Sequence, residues 1–118
     1  MSAVAWVAVG LIGGAAAGAR FLLDYEISDR AAGAFPTGIL AVNLLGSFAL
    51  GLLAGSGLDG QALMILGGGL IGSFTTFSTW MLDTYRLGSS SLPHLAWANL
   101  AIPQLAGFAA LALGHWIA

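Results

Sequence analysis

Nine consecutive residues carry the chemistry of this chain: Gly72-Ser73-Phe74-Thr75-Thr76-Phe77-Ser78-Thr79-Trp80. They sit inside a hydrophobic stretch, where every hydroxyl needs a partner because an unpaired polar group in hydrocarbon is costly. Such a segment survives at membrane depth when it is buried in protein or lines a pathway. A single Ser or Thr commonly bonds back to a carbonyl four residues earlier. Thr75, Thr76, Ser78 and Thr79 together exceed what that habit explains. Phe74, Phe77 and Trp80 recur every three residues, on roughly one helix face. Aromatic packing alone accounts for Phe74, but ring edges carry partial positive charge. Neutral hydroxyls and ring edges together can host an anion without trapping it.

Asn43 lies mid-span on the preceding hydrophobic segment. Two readings compete for it. It is an interhelical clasp, worth about 1 kcal/mol, or a donor facing a permeating anion. The hydroxyl cluster on the next span favours the second. Gly67-Gly68-Gly69 and Gly72 lead into that cluster, and each glycine weakens a helix by about 1 kcal/mol relative to Ala. Glycines followed by hydroxyls predict a helix that breaks near the membrane centre. A break frees carbonyls that can hold a cation, and amides that favour an anion.

These residues must be positioned by membrane helices. Only 7% of the 118 residues are charged and 58% are hydrophobic, whereas soluble domains average roughly 25% charged. The predicted fold is all-α and integral to the membrane, one domain of four transmembrane helices. A crossing takes about 20 apolar residues, which places the spans at about 3–23, 35–55, 62–82 and 92–117. Residues 24–34, 56–61 and 83–91 are then connections. A cleaved leader is disfavoured, since the first span has no cationic start and exceeds an apolar core of about 7–15 residues.

The few charges sit at span boundaries. The chain has no Lys; its bases are Arg20, Arg30 and Arg86, and its net charge is −2. That balance excludes a polybasic nucleic-acid surface. Arg20 reads by position as an anchor at the end of the first span. Asp83 and Arg86 flank the end of the third and are expected to pair or to sit among headgroups. No cysteine and two separated histidines leave no thiolate or zinc cluster. Trp6, Trp97 and Trp116 suit an interfacial belt. Asn99, Pro103 and Gln104 make the fourth span polar, and Pro103 leaves a carbonyl without its donor.

Small residues recur at four-residue spacing: Gly10, Gly14 and Gly18, then Ser47, Gly51 and Gly55 with Asn43 on the same row, then Gly68, Gly72 and Thr76. Such rows let helix backbones approach closely. Four short helices enclose little interior. A narrow path, or one formed between protomers, is therefore expected, and with it an oligomer, most simply a dimer.

Taken together these residues resemble the small four-helix fluoride channels of bacteria, the CrcB or Fluc family. The matching pieces are Gly13-Gly14-Ala15-Ala16-Ala17-Gly18-Ala19-Arg20, then Gly38-Ile39-Leu40-Ala41-Val42-Asn43-Leu44-Leu45-Gly46-Ser47-Phe48, then Gly72 through Thr79. They fall in order over the first three spans, and the third piece is the most specific. The resemblance implies a multi-pass protein of the bacterial cell membrane that exports fluoride passively from the cytoplasm. It implies an antiparallel dimer of dual-topology type, with two pores each bounded by both subunits. Asn43 would donate to fluoride. Phe77 and Trp80 would form the aromatic part of the pore, Ser78 and Thr79 its hydroxyls, and Arg20 would draw anions into a vestibule. Gly72 and Thr75 would offer backbone carbonyls to a structural sodium ion at the dimer centre. Thr76, Asn99 and Gln104 are weaker pore candidates.

Two features depart from the family pattern. Position 80 is Trp where Phe is usual, and the fourth span lacks the expected hydroxyl track. Trp80 brings bulk and an N–H donor. The chain is thus a homodimer subunit or one half of a heterodimer with a homologous, oppositely inserted copy, conducting poorly or not at all alone. Treated as a bulky stand-in, Trp80 is expected to tolerate replacement by Phe. Arg30 alone lies in a connecting segment, a thin positive-inside bias that leaves insertion both ways open. A small proton-coupled exporter is the rival from another class, but it needs a carboxylate inside a span, and the first span has none before Asp24. An enzyme is least expected, with no nucleophile–base pair in sight.

Overall fold

Asp24 through Arg30, expected as a connection, are helical. The computed structural model describes residues 1–118, and its first helix, α1, runs Ala3–Ala31. Ser28 donates to Asp24 at 3.1 Å and Arg30 to Glu26 at 3.4 Å, each one turn apart. Such i,i+4 pairs support a helix whose composition alone reads as a loop. Ser2 caps its start by accepting from Ala5 N–H. Arg20 consequently lies inside a helix rather than at its end.

The remaining elements are α2 (Thr37–Gly55), α3 (Gly60–Leu63), a π-helical stretch (Met64–Ile71), α4 (Gly72–Phe74), α5 (Ser78–Ser89) and α6 (Pro93–Ile117). There are no strands. Four segments are long and apolar enough to cross a membrane: Ala3–Ala31, Thr37–Gly55, Gly60–Ser89 and Pro93–Ile117. Asp59 caps α3 through a 2.9 Å bond from Ala62 N–H.

Glycines set the packing. A Cβ on Gly51 would overlap the Leu111 carbonyl, and one on Gly114 the Phe48 carbonyl, so α2 and α6 lie backbone against backbone. Gly69 rests on Val9, and Gly13 faces Ser73 and the Gly69 carbonyl, which seats α1 on the π-helical stretch. Gly46 makes room for the Thr75 methyl. By contrast Gly10, Gly14 and Gly18 have nothing within 4 Å of an added Cβ. That row is an open face of α1, not an internal contact.

Only 14 of 118 residues are buried, so most apolar side chains of a single chain must meet lipid or another chain. The core is a thin seam containing Ala5, Ala16, Ile39, Val42, Ile71 and Leu87. One polar residue joins it: Asn99, 1% exposed.

Candidate functional site

The glycine run changes how the third span winds before its hydroxyls begin. Over Met64–Ile71 the turns are wide, and Gly72 N–H donates to the Gly67 carbonyl five residues back. π turns of this kind often accompany functional sites. α-Helical geometry resumes for Gly72–Phe74, then Thr75 turns extended at φ −84°, ψ 160°. Helix restarts at Ser78.

No proline causes this interruption. Asn43 clasps it from the neighbouring helix. Its Nδ2 donates to the Thr76 carbonyl at 2.9 Å, and its Oδ1 accepts from Thr76 N–H at 2.9 Å. Thr76 N–H is therefore withdrawn from Gly72. Thr76 Oγ1 then accepts from Thr79 N–H at 3.3 Å and lies 3.2 Å from Thr79 Oγ1, which ties the start of α5 to the interruption. Thr75 Oγ1 bonds back to Ile71 O at 3.0 Å. Of the cluster, Thr75, Thr76 and Thr79 thus have local hydroxyl partners. Ser78 is exposed, its hydroxyl outside every hydrogen bond of the chain.

The interruption exposes carbonyls. Thr76 O is taken by Asn43, but those of Gly72 through Thr75 accept no backbone N–H. These neutral oxygens are hard ligands of the type alkali and alkaline-earth cations prefer. Gly72 is exposed on the surface of the single chain. No cluster of His, Cys, Asp or Glu stands near to bind a metal by side chains. The carbonyls of Gly72 and Thr75 are thus neutral oxygens of the chemistry a hard cation accepts.

Beside the interruption lies an open cleft of about 560 Å³. Asn43 and Ser47 line it from α2, Thr75, Thr76 and Phe77 from the interruption, Trp80 from α5, and Pro103, Gln104 and Phe108 from α6. It contains no formal charge. Phe77 is 68% exposed and meets Trp80 edge to face, with ring centroids 5.8 Å apart at 89°. The Trp80 indole N–H donates to the Asn99 carbonyl. The Asn99 side chain donates to Thr84 Oγ1 at 2.9 Å.

The candidates read from the sequence divide accordingly. Asn43, Thr75, Thr76, Phe77, Trp80 and Gln104 share the cleft. Asn99 is buried behind Trp80, and Gln104 donates to Leu100 O at 3.2 Å. Ser78, Thr79 and Gly72 flank the cleft along the chain without lining it. Arg20 stands apart on α1, with no carboxylate in ion-pair range and its Nε buried without an acceptor. Asp83 and Arg86 approach to 4.0 Å, as a boundary pair would. Ser47 is the residue that spacing assigned to packing and that lines the cleft. Its position one turn after Asn43 was the available signal.

Residues 7–115 match the family described as CrcB-like protein, Camphor Resistance (CrcB). The fluoride-specific ion channel FluC 2 of Mycobacterium tuberculosis is 46% identical over 113 residues, covering 96% of this chain and 90% of the relative. FluC 2 of Mycolicibacterium paratuberculosis is 43% identical over the same share of this chain and 93% of its own length. FluC 1 of Symbiobacterium thermophilum, also a fluoride-specific ion channel by name, is 40% identical over 121 residues, 94% of this chain and 98% of the relative. With a shared sequence across nearly its whole length, and four helices fit to cross a bilayer, the chain belongs to the CrcB-like family.

Proposed function

We propose that this chain is a subunit of a fluoride-selective channel of the bacterial cell membrane that lets fluoride leave the cytoplasm passively. The observation that carries the reading is the uncharged cleft at the interrupted third span, lined by amide, hydroxyl and ring-edge groups. Fluoride holds its water strongly, so a path must replace that water with close donors. A fixed cation in the narrow part would trap the ion, and a carboxylate would repel it. Conduction asks for binding good enough to enter and weak enough to leave. The family relatives named as fluoride-specific channels point the same way.

In this reading the third span works as a broken helix near the membrane centre, and the working unit is an antiparallel dimer. Support comes from surfaces one chain leaves open. Phe77 is 68% exposed, the Gly10, Gly14 and Gly18 face is vacant, and few residues are buried. Small-residue faces drive helix association in lipid. The scarcity of cationic loop residues supports insertion in both orientations. Fluoride meets Asn43, Phe77 and Trp80 in the cleft, with Ser47 and Gln104 at its wall, and the hydroxyls of Ser78 and Thr79 flank it along the chain. Arg20 raises the local anion concentration. The Gly72 and Thr75 carbonyls, with those of a second copy, hold a sodium ion. That ion supplies a fixed positive charge between the two interrupted helices.

A second reading is supported by Trp80, whose ring occupies the cleft wall where the family usually has a smaller one. There the chain conducts only beside a homologous partner. The test is fluoride efflux from liposomes bearing this chain alone, read by a fluoride electrode, with chloride-loaded vesicles alongside. Fluoride efflux without chloride efflux supports the first reading. Equal chloride efflux rejects selectivity. Silence that a homologous subunit relieves supports the second.

A further inference from the structure

Pro103 has no N–H, so the carbonyl four residues before it loses its helical donor. That carbonyl belongs to Asn99, the buried polar residue of the core at 1% exposure. A buried acceptor without a donor is a standing cost. Across the helix interface the Trp80 indole N–H donates to this same carbonyl. The Trp at position 80 and the proline of the fourth span therefore meet at one atom.

We propose that Trp80 and Pro103 are a matched pair, in which the indole fills the vacancy that proline creates and thereby fixes the aromatic wall of the cleft. The proposal rests on the channel reading for its effect on flux, but not for the pairing itself. Further bonds close the unit. The Asn99 amide donates to Thr84 Oγ1 at 2.9 Å and to the Trp80 carbonyl at 3.5 Å, while the Thr84 hydroxyl donates to the Trp80 carbonyl at 2.9 Å. Trp80 is held at both its backbone and its ring. Phe77 leans on that ring edge to face and is otherwise largely exposed. The placement of Phe77 in the cleft thus depends on a bond made on α6. Trp80 is a positioning residue here, and its N–H matters more than its bulk. Phenylalanine supplies the ring and not the donor, so Phe at position 80 belongs with a residue at 103 that has its own N–H.

The test is a double-mutant cycle on the full chain: Trp80→Phe, Pro103→Ala, and both. Trp80→Phe is expected to slow fluoride efflux about tenfold, the effect of one lost buried hydrogen bond on the population of the working arrangement. Adding Pro103→Ala returns an N–H to the Asn99 carbonyl and is expected to recover efflux to within about threefold of the parent. A role in bulk alone gives no such rescue. Trp80→Phe without loss, or a loss that Pro103→Ala leaves in place or deepens, overturns the pairing. Where the parent alone is silent in liposomes, the first of the two channel readings fails and the pairing is decided separately. The 15N-labelled indole N–H of Trp80, identified by its disappearance in Trp80→Phe, is followed by deuterium exchange in detergent. Slow exchange in the parent that quickens in Pro103→Ala supports the pair, and fast exchange in the parent sinks it.

Discussion

Asn43 and Thr76 exchange two hydrogen bonds, each 2.9 Å long, from side-chain amide to backbone peptide. One side chain on α2 thereby replaces the two bonds Thr76 would make within an uninterrupted α-helix. The clasp and pathway readings of Asn43 are not alternatives in this arrangement. The same residue holds the interruption open and lines the cleft beside it.

Removing that side chain therefore does more than delete a donor. Asn43→Ala leaves a peptide N–H and carbonyl unpaired and is expected to cost about 2–4 kcal/mol, read by thermal unfolding in detergent. Asn43→Asp keeps an acceptor for Thr76 N–H but turns a carboxylate toward the Thr76 carbonyl. Fluoride efflux is expected to fall by more than about tenfold. An unchanged rate would remove Asn43 from the path.

Much of this was legible in residue types. Hydrophobic length placed four crossings, and the run from Gly67 to Thr79 marked the unusual segment. What local sequence lacks is the register between helices. Asn43 and Thr76 stand 33 positions apart, and nothing in either neighbourhood names the other. Pro103 announced a vacant carbonyl and Trp80 a spare donor, yet only the packing of α5 on α6 brings them together. The tail of α1 was misjudged for a different reason: charge suggests a loop, while pairs one turn apart sustain a helix.

Two glycines separate folding from assembly. Gly114→Ala drives a methyl into the Phe48 carbonyl and is expected to destabilise the chain by about 1–3 kcal/mol. Gly14→Leu meets nothing within the chain. It should leave the melting of the subunit unchanged while reducing the dimer fraction seen by crosslinking in lipid. Retained dimer in Gly14→Leu would place the subunit contact elsewhere.

Arg20 makes no ion pair, and its Nε has no acceptor. Arg20→Gln should shift stability by less than about 1 kcal/mol. Efflux at low ionic strength should drop severalfold, and the difference should shrink as salt screens the charge. Equal efflux at all salt concentrations would reduce Arg20 to an anchor.

Backbone oxygens at Gly72 and Thr75 lead to a cation-specific stability. Replacing sodium by a large organic cation should lower the melting temperature, with a loss of about 2.7 kcal/mol where sodium stood at a hundred times its dissociation constant. Identical melting in both salts would argue against an ion held there.

The length of α1 has a practical consequence. At about 1.5 Å per residue its 29 residues reach about 43 Å, well beyond a hydrocarbon layer of about 30 Å. Its tail packs on the start of α2, where Gly38 leaves room for Asp24 and Ser28, and ends in the exposed, charged residues Glu26, Asp29 and Arg30. The chain has no native thiol, so Asp29→Cys installs a single reporter at the tip. A membrane-impermeant maleimide added to intact cells would tag all copies, none, or about half, the last being the signature of a protein that enters the bilayer both ways up.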